Sequence, residues 1–526
     1  MTKNLTSGNP MKLILCFTLP LLLGMLFQQM YNMVDTMIVG KLLGSRALAA
    51  VGATGSVNFL VIGFCTGVCS GFAIPVAQKT GAGEYGPMRQ YAANAAYLSA
   101  ALALGLTVLT GLLCRTILTA MGTPEDIYRN AHDYIFIIFM GIPATFLYNL
   151  LAGVIRSLGD SRTPVYFLAL SSVLNIVLDL AFILYGGLGV AGAAAATVIS
   201  QAVSGLACLA YVYRCFPVLR MSRAERRPDA KICWQLCAMG LPMGLQYSVT
   251  AIGSVILQAA VNGLGSLYVA AVTAGAKLFE LLACPFNAMG TAMATYCGQN
   301  VGAGKLDRLG QGIRDCTLLG FVYALLSFGA MLLLAPVCAL WFIDAQETGE
   351  MDLMVALVSR YVRVAAGCGF ALALVNIVRF SIQGMGYTVF AILAGVLEML
   401  ARAAVGRVFV PAIGFNAVCL ASPAAWLCAD LFLIPACAFC IRRLRRGQES
   451  RLGLSHGASG VRPQLQRYLR PDGRARRLAS SGPELFQHAL HHGLPAQLHR
   501  HPGRNSHQPV RRPLHLMEKI GKQKRP

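Results

Sequence analysis

From residue 13 to 441 the chain alternates long apolar runs with short polar connections. A helix crossing about 30 Å of hydrocarbon needs about 20 mostly apolar residues at about 1.5 Å each. Runs of that kind fall at 13–38, 50–77, 91–113, 131–154, 164–184, 188–213, 236–262, 268–296, 314–342, 357–380, 388–410 and 414–441. They predict twelve spans and an all-α integral membrane protein. The first run follows Lys3 and Lys12, as the core of a signal peptide would. It continues to Val39 without a convincing small-residue cleavage site, so it reads as span 1.

The pattern also repeats. Leu43-Gly44-Ser45 and Ala49-Ala50-Val51 recur as Leu264-Gly265-Ser266 and Ala270-Ala271-Val272, and at the same shift Gln78, Gly81 and Gly83 become Gln299, Gly302 and Gly304. Further on, a slightly larger shift pairs Tyr134 with Tyr361 and Gly159 with Gly386. Duplicated halves are common in transporters, and six spans per half is an even number, so the halves share one orientation. The expectation is two six-helix lobes, 13–213 and 236–441, related by an axis along the membrane normal and facing a central cavity. A segment 1–12 precedes them and a basic linker 214–235 joins them. In span 2, Gly63, Gly67, Gly71 and Pro75 recur every four residues, which predicts close helix packing on that face. The small counterparts Cys284, Ala288 and Ala292 predict the same in span 8.

Composition agrees: 56% of the 526 residues are hydrophobic and 13% charged, against about 25% charged in soluble domains. The net charge of +22 would suggest nucleic acid if it were evenly spread. Residues 442–526, however, hold 19 basic and 4 acidic residues, a net of +15, with eight of the nine histidines. This Arg-, His- and Pro-rich segment is too polar to bury a core and reads as a disordered tail. The remaining basic residues gather in the loops after spans 2, 4, 6 and 8, among them Arg156, Arg162, Arg223, Arg226, Arg227 and Lys305, whereas the loop after span 9 is acidic. By the positive-inside rule both termini are cytoplasmic. The expected setting is a membrane, with a monomeric chain and no nucleic-acid partner.

Enzymatic motifs are missing. Gly302-Ala303-Gly304-Lys305-Leu306 lacks the spacing and hydroxyl of a phosphate loop, and no nucleophile elbow or zinc-helix motif occurs. Cys437-x-x-Cys440 has no second pair or nearby histidine, so no metal site and no cofactor are expected.

Charges inside spans cost at least about 2.5–3.5 kcal/mol each, so each needs a reason. Gln28, Asn32 and Asp35 share one face of span 1, and Asn175 and Asp179 share one face of span 5. Two such faces can meet as a hydrated site for H⁺ or Na⁺, or bond helix to helix. The repeat places Ile256 opposite Asp35, Arg402 opposite Asn175 and Gly406 opposite Asp179, so only the first lobe carries this acid pair. Glu398 and Arg402 are four residues apart and read as a structural ion pair. Lys277 and Glu280 can pair, or Glu280 can face the cavity and attract a cationic substrate. Asp430 reads as a helix-end or loop contact. Gln246, Gln258, Asn262, Asn287, Asn376 and Gln383, with Met and aromatic residues of span 1, suit a wide cavity for lipophilic ligands.

Leu19-Pro20, the run Gln28 to Thr36, Leu48-Ala49-Ala50-Val51-Gly52, Gln78 with Gly81-Ala82-Gly83, Arg156-Ser157-Leu158-Gly159-Asp160-Ser161-Arg162-Thr163-Pro164 and Pro423-Ala424-Ala425-Trp426 resemble the multidrug and toxic compound extrusion (MATE) family over about residues 10–441. The resemblance implies alternating-access export of varied, often cationic, drugs across a bacterial inner membrane in exchange for H⁺ or Na⁺. It implies cation coupling at Asp35 and Asp179, with Asn175 beside the latter. A helix-8 acid of some bacterial branches matches Glu280, so Gln28, Asn32, Gln258, Asn262 and Glu280 are the expected substrate-cavity residues. The helix-7 acid of another branch is missing, and the tail has no family counterpart. A lipid-linked precursor flippase of similar fold is the alternative, though its cavity should be rich in cations.

Overall fold

The computed structural model describes residues 4–340 and 351–468. In the first lobe, Asn9 caps α1 (Pro10–Leu43) by accepting from Lys12 N at 3.2 Å. There follow α2 (Ser45–Gly81), α3 (Tyr85–Ala120), α4 (Glu125–Met140), α5 (Ile142–Ser157), α6 (Thr163–Leu180) with a π-helical turn Ala181–Tyr185, and α7 (Gly189–Cys215). In the second lobe, Asp229 caps α8 (Ala230–Asn262) by accepting from Lys231 N and Ile232 N. Its other helices are α9 (Ser266–Gly302), α10 (Asp307–Ala339), α11 (Met351–Gly367), α12 (Gly369–Gly384), α13 (Thr388–Ala404) with a π-helical turn Val405–Phe409, α14 (Val410–Ile413) and α15 (Phe415–Tyr468).

Ten of these elements are long and apolar enough to cross a membrane. Counting the bent pairs α4–α5 (45°) and α11–α12 (50°) as one span each gives twelve. The breaks fall at Gly141 and Cys368, equivalent positions in the repeat. Pro143 has no N–H to give to the preceding turn, and Gly367 and Gly369 flank the second break, so both are weak points in the helical ladder.

The duplication survives in the backbone. Gly159 (φ 88°) and Gly386 (φ 94°) end α5 and α12 in the left-handed region, where any other L-residue is penalised by about 1–2 kcal/mol. The small stripe of α2 packs as expected, but across the lobes. A β-carbon on Gly67 would lie 2.6 Å from the Met243 carbonyl oxygen, and one on Gly71 would lie 2.5 Å from the Gly240 Cα of α8.

Two helices cross between lobes. Ile14, Phe17 and Leu21 of α1, with Leu5 before it, are buried in the second lobe's core beside Phe286 and Met289, while Val39 near its end packs in the first lobe. In mirror fashion, Ile232 and Leu236 of α8 lie in the first lobe's core and Val261 in the second's.

Residues 4–8 lie against the end of α9, with Leu5 and Thr6 buried. The tail expected to begin at 442 starts within α15, which continues past Arg446 in the first unit of the chain; residues 469–526 lie outside the described residues. So do Asp344, Glu347 and Glu350 of the acidic loop.

Candidate functional site

Asp35 of α1 and Asp179 of α6 meet. Their carboxyl groups face each other within hydrogen-bonding reach, and among the described residues neither Oδ1 receives a hydrogen bond from any donor. Two carboxylates cannot both stay ionised in contact without a cation between them. Asn175, one turn before Asp179, has its amide 3.3 Å from Thr197 Oγ1, and with that amide turned so that its oxygen faces Thr197 N, its Nδ2 donates to Asp179 Oδ2 at 3.3 Å. Tyr31 and Tyr134 flank the pair. The π-helical turn starts two residues after Asp179; such turns are frequent at functional sites. Thr197 had no signal in the sequence; Tyr31, one turn from Asp35, entered only among the span-1 aromatics, and Tyr134 only through the repeat. In the second lobe, a β-carbon on Gly406 would lie 3.8 Å from Ile256 O. The apolar counterparts of the acid pair thus adjoin as the acids do.

The lobes close at the end where α2 and α9 finish. Gln78 Nε2 donates to Gly384 O (3.2 Å), and Gln299 Nε2 donates to Ser157 O (2.9 Å). Gly81 and Gly302 admit the crossing: a β-carbon on either would fall 1.9 or 1.7 Å from the opposite glutamine's carbonyl oxygen. The N-terminal segment strengthens this closure, since Leu5 N donates to Gln299 Oε1 and Asn300 Nδ2 donates to Leu5 O. Toward the other ends of these helices the lobes part: Phe59 of α2 is 51% exposed and the Glu280 side chain of α9 52%.

Between the lobes, just inside the closure, lies a cavity of about 290 Å³. Gln28 lines it, as do Met25 and Tyr31 of the span-1 methionines and aromatics, but Asn32, Gln258, Asn262 and Glu280 do not. Asn32 and Glu280 belong to an exposed chain nearer the open end. Asn32 Nδ2 donates to Gln29 Oε1, Gln29 Nε2 donates across the lobes to Glu280 Oε2 (3.2 Å), and Lys277 Nζ pairs with the same oxygen at 3.3 Å. Gln258 and Asn262, one turn apart, bond each other at 2.9 Å. Gln246 and Gln383 are likewise spent on one another and buried. Gln29 was visible in the sequence, but helical spacing favoured its neighbour Gln28.

The second lobe buries its charges together. Glu398 pairs with Arg402 (3.4 Å), as expected, and also with Arg379 of α12. Asp430 is not at a helix end. It is buried within α15, faces Arg379 electrostatically, and neither of its oxygens is hydrogen-bonded. Two arginines and two acids balance, which is the behaviour of a structural cluster.

Arg156 is different. Placed by the sequence among loop charges, it lies on the cavity wall near Tyr148 and Tyr247, and among the described residues no carboxylate pairs with it.

Comparisons with known proteins agree with this architecture. The sequence model of the MatE family matches residues 20–181 and 242–408. The chain is 32% identical over 308 residues to the probable multidrug resistance protein YpnP of Bacillus subtilis, covering 58% of this chain and 68% of that protein. It is 25% identical over 311 residues to the FAD transporter of Shewanella oneidensis, covering 57% and 68%. Among solved structures, an outward-facing multidrug resistance MATE family transporter superposes with a TM-score of 0.78 at 23% identity, over 84% of this chain and 99% of that one.

Proposed function

Because the chain belongs to the MATE family, we propose that it is a secondary active exporter moving small amphipathic compounds out of a bacterial cell in exchange for protons. The contact between Asp35 and Asp179 carries this reading. Two carboxyl groups facing each other, with one oxygen of each left without a donor, form a site that holds a proton well and loses it when the local geometry opens.

Coupling follows from where the pair sits. α1 has its first half in the second lobe's core and carries Asp35 in the first. Any proton-dependent change in how α1 seats against α6 therefore acts on the inter-lobe cleft. With a proton shared, α1 is held to α6. Without it, two anions repel and α1 is driven to a different seat, and the cavity between the lobes changes shape. Asn175 and Thr197 hold Asp179 in place for this exchange.

The test is efflux from reconstituted vesicles under an imposed pH gradient compared with an imposed Na⁺ gradient. A pH gradient alone should drive export. Export driven only by Na⁺ would replace the proton with sodium at the same carboxyl pair, and export driven by neither would end the exporter reading.

A further inference from the structure

We infer that the closed end of the cavity is an anion subsite, in which Arg156 receives the carboxylate, sulfonate or phosphate of an amphipathic organic anion. The inference rests on the exporter reading only in taking the bound compound to be the one moved.

Three observations carry it. First, among the described residues Arg156 is the only charged one on the cavity wall, and no Asp or Glu lines it. The other charges deep in the second lobe are balanced: Arg379 and Arg402 by Glu398 and Asp430, and Lys277 by Glu280. A cation left without a counterion in a low-dielectric cleft is costly unless a ligand supplies the charge. Second, a neutral donor lies near it. The Tyr247 hydroxyl, close to Arg156 on the same wall, makes no hydrogen bond among the described residues, and farther along the cavity Gln201 accepts from Thr145 Oγ1 through Oε1, which leaves its Nε2 to donate. A guanidinium fork with a phenol near it suits a planar or tetrahedral oxyanion. Third, the carboxyl groups that would repel such a ligand are kept off the wall. Asp35 and Asp179 face each other beside Tyr31, and Glu280 is tied to Lys277 and Gln29. Met243, Phe380 and Tyr148 offer apolar surface for the ligand's ring system. The cationic substrates implied by family resemblance would meet the wrong charge here.

The test uses two dyes sharing one xanthene–phenyl skeleton, anionic fluorescein and cationic rhodamine 6G. Binding to the purified full chain is read by fluorescence anisotropy, and export is read in vesicles. Fluorescein should bind at least about tenfold more tightly than rhodamine 6G. Arg156→Gln should remove that preference by weakening fluorescein alone, and Arg156→Lys should restore part of it. A wild-type protein that prefers rhodamine 6G overturns the inference, and this comparison needs no variant to fold. So does an Arg156→Gln protein that keeps its fluorescein affinity, or one that loses both dyes equally. If rhodamine 6G is exported and fluorescein ignored, the subsite fails and the exporter stands. If fluorescein binds in an Arg156-dependent way but no gradient moves either dye, the subsite stands and the exporter reading fails.

Discussion

Gln78 and Gln299 hold the two lobes by the same bond made twice, each donating its side-chain amide to a backbone oxygen of the opposite lobe, Gly384 for one and Ser157 for the other. The donors are related by the repeat's first register and the acceptors by its second, so the clasp is symmetric although each lobe's interior is not. A buried hydrogen bond contributes about 1 kcal/mol, about a fivefold shift in an equilibrium. Gln78→Ala and Gln299→Ala should therefore each loosen the closed end and speed hydrogen exchange of the turn amides at Gly83, Glu84, Gly304 and Lys305. Gly81→Val and Gly302→Val should go further and abolish efflux, because the crossing has no room for a side chain. Unchanged exchange in both alanine variants would remove the clasp from the mechanism.

Asp35→Asn and Asp179→Asn should each abolish export driven by a pH gradient while leaving thermal unfolding within a few degrees of wild type. The substituted amide can donate to the remaining carboxylate much as a shared proton does, so the fold keeps its contact and loses only its titration. Efflux at the wild-type rate in both variants would exclude the pair from coupling.

Glu398→Gln should destabilise the second lobe strongly. It leaves Arg379 and Arg402 buried with only Asp430 to balance them, and breaking a buried ion pair typically costs about 3–5 kcal/mol. Thermal unfolding in detergent is the readout. The double change Glu398→Leu with Arg402→Leu should recover part of the loss, since Arg379 then faces Asp430 alone.

Outside the membrane, Arg89 holds the linker loop through two bonds to Glu225 Oε1 (2.9 and 2.6 Å), and Glu225 Oε2 accepts from Ser222 N. Hydrogen bonding from Arg89, then from the Ser222 backbone, holds the Glu225 carboxyl down to about 2. An acid lowered on folding stabilises fully above its ordinary range and loses that contribution as pH falls from about 4.5 toward about 2. Hydrogen exchange of residues 221–227, corrected for intrinsic rate, should thus be the same at pH 7.5 and 5.5. Glu225→Gln should accelerate it at both. A change between those two pH values in the wild type would contradict the assignment.

Spans, lobes and repeat were legible in the sequence because apolar length and internal similarity report directly on a bilayer-spanning duplication. Asp35 and Asp179 were legible as well, since an acid in an apolar helix demands a reason. Arg156 and Arg379 were not. One sits at the end of its apolar run and looks like a loop charge until α5 is seen to turn it inward, and the other was hidden in a strongly apolar stretch between Leu374 and Ile382. Gln258 and Asn262 misled because helical spacing shows which residues share a face but not whether they bond each other or a ligand. The docking of Leu5 and Thr6 had no periodic signal to give it away.

The crossing of α1 and α8 between lobes also sets the order in which the molecule can be made. Leu5, Ile14, Phe17 and Leu21 are made about 400 residues ahead of Trp426 and Leu433, which complete the core that receives them. The first half of the chain cannot finish its own assembly before the second arrives, and a cut in the linker would leave two fragments that each lack a piece held by the other. Such a protein matures as one unit, and its two halves should be rescued only when they are produced together.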